Sequence, residues 1–171
     1  DSPNFGAGIG SSTIVLDSEA KVHVVFPRAV RIFVDASANY YSDSDGVIYW
    51  NEDMEPLDTA TISSTTLDYL DEGGNLIGWI MADETYELPA DQPTYASSLC
   101  AYPQMSIDAN DNLFVAYSSV APGYSNGIAD FRHIVGNASF DGGMTWEGQE
   151  DFNTDLIFFA RRLVFGMDMH N

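Results

Sequence analysis

Beginning at Thr13, the chain reads Thr-Ile-Val-Leu, then Asp17-Ser-Glu-Ala20, then Lys-Val-His-Val-Val-Phe26, a spacing that predicts a strand, a four-residue turn and a second strand. The second strand places Val22, Val24 and Phe26 on one face and Lys21, His23 and Val25 on the other. The same phrase returns at Asp43-Ser-Asp-Gly-Val-Ile48, Asp71-Glu-Gly-Gly-Asn-Leu76 and Asp108-Ala-Asn-Asp-Asn-Leu113, and a fifth Asp, Asp141, precedes Trp146. Each of these turn residues is followed five positions later by a large apolar residue: Val22, Ile48, Leu76, Leu113 and Trp146. Their separations of 26, 28, 37 and 33 residues are those of a repeated hairpin. Between the hairpins, Tyr86 to Tyr102 and Val120 to Gly127 carry Pro and Gly and read as long connections, and Leu156 to Phe159 reads as a further strand. Asp, Gly, Ser and Thr interrupt every helical period, so the expected class is all-β.

The stretch Ser139-Phe-Asp141-Gly-Gly143-Met-Thr145-Trp146 is the most specific. Asp141 can accept hydrogen bonds from the N–H groups of its own turn, and Gly142 and Gly143 can take positive φ. Ser139 and Thr145 can tie the two strand ends together, and Trp146 offers an apolar face with one N–H that needs a partner. This stretch resembles the Asp-box of sialidase-type (BNR) β-propellers. The resemblance implies antiparallel four-stranded blades, with residues 1–171 forming one propeller domain that is incomplete in this chain, about two to three blades by the hairpin count. It also implies that Ser139, Asp141, Gly143, Thr145 and Trp146 are structural, because Asp-boxes lie away from the ligand-bearing mouth. A β-sandwich is the alternative, since its turns recur at similar spacing.

Composition restricts the partners. Twenty-six acidic residues against six basic ones give a net charge of −20, which excludes nucleic acid and anionic membrane surfaces. No apolar run reaches the length of a membrane span. The single cysteine, Cys100, permits no intrachain disulfide and reads as a buried, inert thiol.

Candidate chemistry is sparse. The sialidase resemblance would require three arginines, a Tyr/Glu pair and an acid/base Asp; the arginines are Arg28, Arg31, Arg132, Arg161 and Arg162, and the family's Phe-Arg-Ile-Pro signature is missing. No catalytic residue is assigned. Arg161 and Arg162 are candidate anion contacts, with an intramolecular salt bridge as the simpler role. Tyr41 to Glu52 partly fits a Ca²⁺ loop but departs from it at Tyr41, and a hairpin turn explains it better, so no metal and no other cofactor is expected. His23 is expected to be solvent-facing or half-buried, and His23, His133 and His170 lack metal-ligand spacing.

These readings lead to a secreted or cell-surface binding or scaffold module whose loops recognise a glycan or a protein. The alternative is a sialidase-like glycoside hydrolase. Further partners implied are a chain that completes the sheet and a secretion apparatus, because the repeats resemble in style large exported proteins of Gram-negative bacteria, including type 9 secretion cargo.

Overall fold

The computed structural model describes residues 3–7, 11–34, 37–41, 44–57, 74–82 and 98–153. Its strands are β1 Pro3–Ala7, β2 Thr13–Leu16, β3 Val22–Val34, β4 Ser37–Tyr41, β5 Val47–Asn51, β6 Leu76–Gly78, β7 Cys100–Ile107, β8 Leu113–Ser125, β9 Asp130–Ser139 and β10 Glu150–Asp151. All pairings are antiparallel, and no helix occurs among the described residues.

The strands form two sheets. In the first, β2, the Val22–Pro27 half of β3, β5 and β6 make a four-stranded meander, and the other half of β3 pairs with β1 and β4. The second sheet is a four-stranded meander in the order β10-β9-β8-β7.

Proline positions explain where pairing changes. A proline lacks the N–H that a ladder needs, so it is tolerated at strand starts and irregularities. Pro3 begins β1, Pro27 stands where β3 passes from β5 to β1, Pro103 lies in the bulge of β7 against β8, and Pro122 lies in the register shift between β8 and β9. Tyr102, beside Pro103, takes φ 54°. The segment from Val120 onward, read from the sequence as a connection, continues as strand to Ser125, and Cys100 to Tyr102, also read as connection, belongs to β7. Its Tyr86 to Asp91 and Gln92 to Ser97 portion lies outside the described residues, as does the strand expected at Leu156 to Phe159.

The core lies between the two meanders: Val25, Val47, Tyr49 and Ile77 from the first meet Cys100, Met105, Leu113, Val115, Tyr117 and Val135 from the second. His23 shares the inner face of β3 with Val25 and is fully buried, contrary to the exposed or half-buried place expected from its neighbour Lys21. Its ring is stacked near Tyr49, with centroids 6.0 Å apart, and its Nδ1 lies 2.7 Å from the Tyr49 hydroxyl.

Two turns are built alike. In the β2–β3 turn, Asp17 Oδ1 accepts from the N–H groups of Glu19 and Lys21, and Ala20 takes φ 66°. In the β7–β8 turn, Asp108 Oδ1 accepts from Asn110 and Asn112, and Asp111 takes φ 61°. These are the same hydrogen bonds at the same offsets, so the carboxylate replaces the backbone acceptors that a tight turn lacks. The two turns also touch: Ser18 donates from its N–H to Asp111 Oδ1 at 2.9 Å and from its hydroxyl to Oδ2 at 2.5 Å.

Candidate functional site

The hairpin from Ser139 to Trp146 leads from β9, the third strand of its meander, towards β10, the fourth. Asp141 is its hub. Oδ1 accepts from the Ser139 hydroxyl at 2.8 Å and the Thr145 N–H at 2.9 Å, and Oδ2 accepts from the Thr145 hydroxyl at 2.6 Å. Ser139 accepts in turn from the Gly143 N–H at 2.8 Å. The two hydroxyls therefore tie to Asp141 and not to the opposite strand end. The Thr145 side chain and N–H, with help from Ser139 and Met144, hold the Asp141 carboxyl below the ordinary carboxylate range despite some desolvation. Gly142 and Gly143 adopt φ 73° and 90°.

The hairpin clamps the other sheet. The ring of Tyr49, on β5, meets Trp146 edge-on with centroids 5.0 Å apart, and its hydroxyl lies 3.2 Å from the Gly142 carbonyl. The Tyr49 oxygen also accepts from Asn51 Nδ2 at 2.8 Å. The His23 ring bridges this tyrosine and the β2–β3 turn, with Nδ1 2.7 Å from the Tyr49 hydroxyl and Nε2 3.4 Å from Asp17 Oδ2. Burial pushes the Tyr49 hydroxyl up to about 12, against the opposing effect of Asn51, so it stays protonated.

Beside this clamp lies a recess of about 230 Å³ between β6 and the segment leading from the hairpin to β10. Trp79, Asn137, Trp146, Glu147 and Gln149 line it. Asn137 is buried and donates to the Ile77 carbonyl, but its Oδ1 has no partner, and neither has the indole N–H of Trp146. Gln149 fixes one wall, accepting from the Trp79 N–H at 2.9 Å and from the Tyr117 hydroxyl. The site thus presents Trp79 and Trp146 in a partly enclosed space, with one acceptor and one donor left unpaired inside its wall, where they are fully buried. The sequence marked Trp146 and its N–H, but no local signal groups Trp79, Asn137 and Gln149 into one site, and they are joined only by the meeting of the two sheets.

The far end of the sheets holds Arg28 and Arg132, while the Arg31 side chain lies outside the described residues. Arg28 is buried and donates to the Asp45 carbonyl at 3.3 Å; Arg132 donates to the carbonyls of Ser98, Leu99 and Ser118. Burial pushes the Asp45 carboxyl up, opposed by N–H groups of Ile80 and Gly46, by the Cys100 thiol and by Arg28. Burial likewise raises Cys100 well above a normal thiol, with the Asp45 charge adding to the effect. Asp43, Asp71, Arg161 and Arg162 lie outside the described residues. Among the described residues, no group of three or more His, Cys, Asp or Glu side chains is placed to hold a metal, and no helix is long and apolar enough to cross a membrane.

No protein family, curated protein or solved structure matches the chain.

Proposed function

We propose that the chain is part of an Asp-box β-propeller serving as a secreted or cell-surface glycan-binding module, and that the recess beside the Asp-box hairpin takes one saccharide unit. Three features support the propeller: two four-stranded meanders stacked face to face, an Asp-box between the third and fourth strands of one, and equivalent Asp turns between the first and second strands of both. The observation that carries the ligand is the recess itself. An indole face covers the C–H side of a sugar ring, and Glu147 and Gln149 in the recess wall are polar side chains of the kind that meet sugar hydroxyls.

Immobilised neutral and acidic oligosaccharides probed with the chain and with Trp79→Ala test this reading. Binding by the parent at micromolar to millimolar strength, reduced about tenfold or more in the variant, is expected. Retention of every bound glycan by Trp79→Ala, or binding of none, defeats it.

The alternative of a sialidase-like hydrolase draws on Arg28 and Arg132, which gather around neighbouring backbone at one end of the sheets. Both are already tied to main-chain carbonyls, which favours a structural role. Release of a fluorophore from a sialoside would support the enzyme.

A further inference from the structure

Glycine follows an Asp or Asn at three places in the chain: Asp45-Gly46, Asn126-Gly127 and Asp141-Gly142. Two of these are carboxylates, and both are engaged. Asp45 accepts from the N–H groups of Gly46 and Ile80, and Asp141 from Ser139 and Thr145. The third is an amide at the tip of the β8–β9 hairpin, where Ser125, Asn126, Gly127 and Ile128 are all exposed. Asn51, Asn75 and Asn137 are buried. The exposed Asn110 and Asn153 are followed by Asp111 and Thr154, residues with a β-carbon beside the backbone nitrogen.

The hairpin tip arranges three groups around the Asn126 amide. Its Oδ1 accepts from the N–H groups of Ile128 at 2.9 Å and Ala129 at 3.0 Å. The Gly127 N–H is directed at the Ser125 hydroxyl oxygen, 3.0 Å away. Gly127 holds φ 87°, and nothing lies within 4 Å of where its Cβ would stand, so no side chain shields its nitrogen. These are the parts of an acyl-transfer centre: a carbonyl carbon, two donors on the oxygen that gains negative charge, and a nitrogen nucleophile held beside it by the chain itself. An ionised carboxylate offers no such carbon, since its charge opposes the nucleophile.

We propose that Asn126 is a self-modification site, converted by attack of its own backbone into an aspartyl or isoaspartyl residue. The Gly127 nitrogen gives its proton to a base in the solvent and bonds to the Asn126 Cγ. The Cγ–Nδ2 bond then breaks, and ammonia leaves with a proton returned by the solvent. One water opens the resulting five-membered imide at either carbonyl. Opening at one gives Asp; opening at the other routes the main chain through the side-chain carbon and lengthens it by a methylene. In sum, an amide and water become a carboxylate and ammonium. Either product adds a negative charge to a chain already at −20. The longer main chain falls where the hairpin closes on the Ser125–Asp130 pair, next to Tyr124, whose ring lies 4.5 Å from that of His133. The isoaspartyl form therefore loosens this end of β8 and β9. None of the recess residues takes part, so the inference is independent of the glycan reading.

The test is peptide mapping by mass spectrometry of the full chain kept folded in mildly alkaline buffer, beside a sample kept unfolded in guanidinium. In the folded sample Asn126 is expected to convert ahead of every other described Asn, at least as fast as in the unfolded one, giving both aspartyl and isoaspartyl peptides. Gly127→Ala should lose the conversion in both samples. Its loss in guanidinium shows that the nucleophile is responsible and not an altered fold of the variant. Slower conversion in the folded parent than in the unfolded one would mean that the turn protects the amide, and that overturns the inference. Earlier conversion of Asn110 or Asn153, or unchanged conversion in Gly127→Ala, overturns it as well.

Discussion

The hydroxyl of Tyr49 lies directly over the α-carbon of Gly143, so that a methyl group on that glycine would occupy the tyrosine's own space. One side chain of the first sheet is thus seated in the Asp-box turn of the second, and the turn can take it only because residue 143 has no side chain. Gly143 also holds φ 90°, which L-residues rarely adopt. Gly143→Ala should therefore lower stability by about 3 kcal/mol, combining backbone strain with a clash. Gly142→Ala should cost less, about 1 kcal/mol, because its φ of 73° is strained but nothing lies near its Cβ. Urea midpoints of the two variants check the order.

Tyr49→Phe removes the oxygen that accepts from Asn51 and meets His23 and the Gly142 carbonyl. Asn51 Nδ2 is then buried without a partner, and the expected loss is about 2 kcal/mol. The double variant with Asn51→Ala should lose less than the sum of the two singles, because both act on one network. Additive losses would show that the two groups are not coupled.

Asp141→Ala frees the Ser139 and Thr145 hydroxyls and the Thr145 N–H at a partly solvated turn, where water replaces much of what is lost, so about 1 kcal/mol is expected. Thr145→Val should show a fraction of that loss, since the N–H bond to Asp141 survives. Chemical denaturation of the three proteins side by side measures it.

Stability should fall on acidification below pH 4. The carboxyls of Asp17, Asp108 and Asp141 lie below their ordinary value of 3.8. For Asp17 the leading cause is the Lys21 N–H; for Asp108 the bonds from Asn112 and Asn110 outweigh desolvation; for Asp141 it is Thr145. A depressed carboxyl contributes stability above 3.8 that is lost as pH falls through its folded-state value. Asp45 has the opposite sign: its raised pKa makes the folded chain take up a proton first, so it contributes a gain between its own value and 3.8. Asp141→Asn should flatten the acid limb of a plot of urea midpoint against pH. An unchanged slope would exclude Asp141 as a source.

Cys100 should resist iodoacetamide at pH 8 in the native protein and react on unfolding, because burial keeps the thiol protonated. Mass spectrometry before and after urea distinguishes the two states.

The sequence made the hairpins legible because their signal is local. Asp followed by a polar turn and an apolar residue is contained in about six positions, and it placed the β2–β3 and β7–β8 hairpins at Val22 and Leu113. The hairpin expected around Asp45 and Gly46 does not form, since β4 and β5 each pair with β3 and not with each other. The same series merged two kinds of turn: Asp17 and Asp108 join first to second strands, whereas Asp141 lies between third and fourth. The burial of His23 was hidden because strand alternation shows that two faces differ but not which one meets another sheet. The recess was hidden for a related reason, since Trp79 and Asn137 belong to different sheets and come together only through packing.

The clasp between Ser18 and Asp111 joins residues 93 positions apart, whereas the bonds within each turn span four or fewer. Closing so long a loop costs more chain entropy than closing a hairpin, so the clasp and the sheet-to-sheet contacts around it should form after the β7–β8–β9 meander, which needs only neighbouring segments. The order of assembly is then written into the connectivity: a locally built platform first, and the other sheet docking on it later. Amide exchange should show this as slower-exchanging protons in β8 and β9 than in β2, and the reverse pattern would place the nucleus in the first sheet.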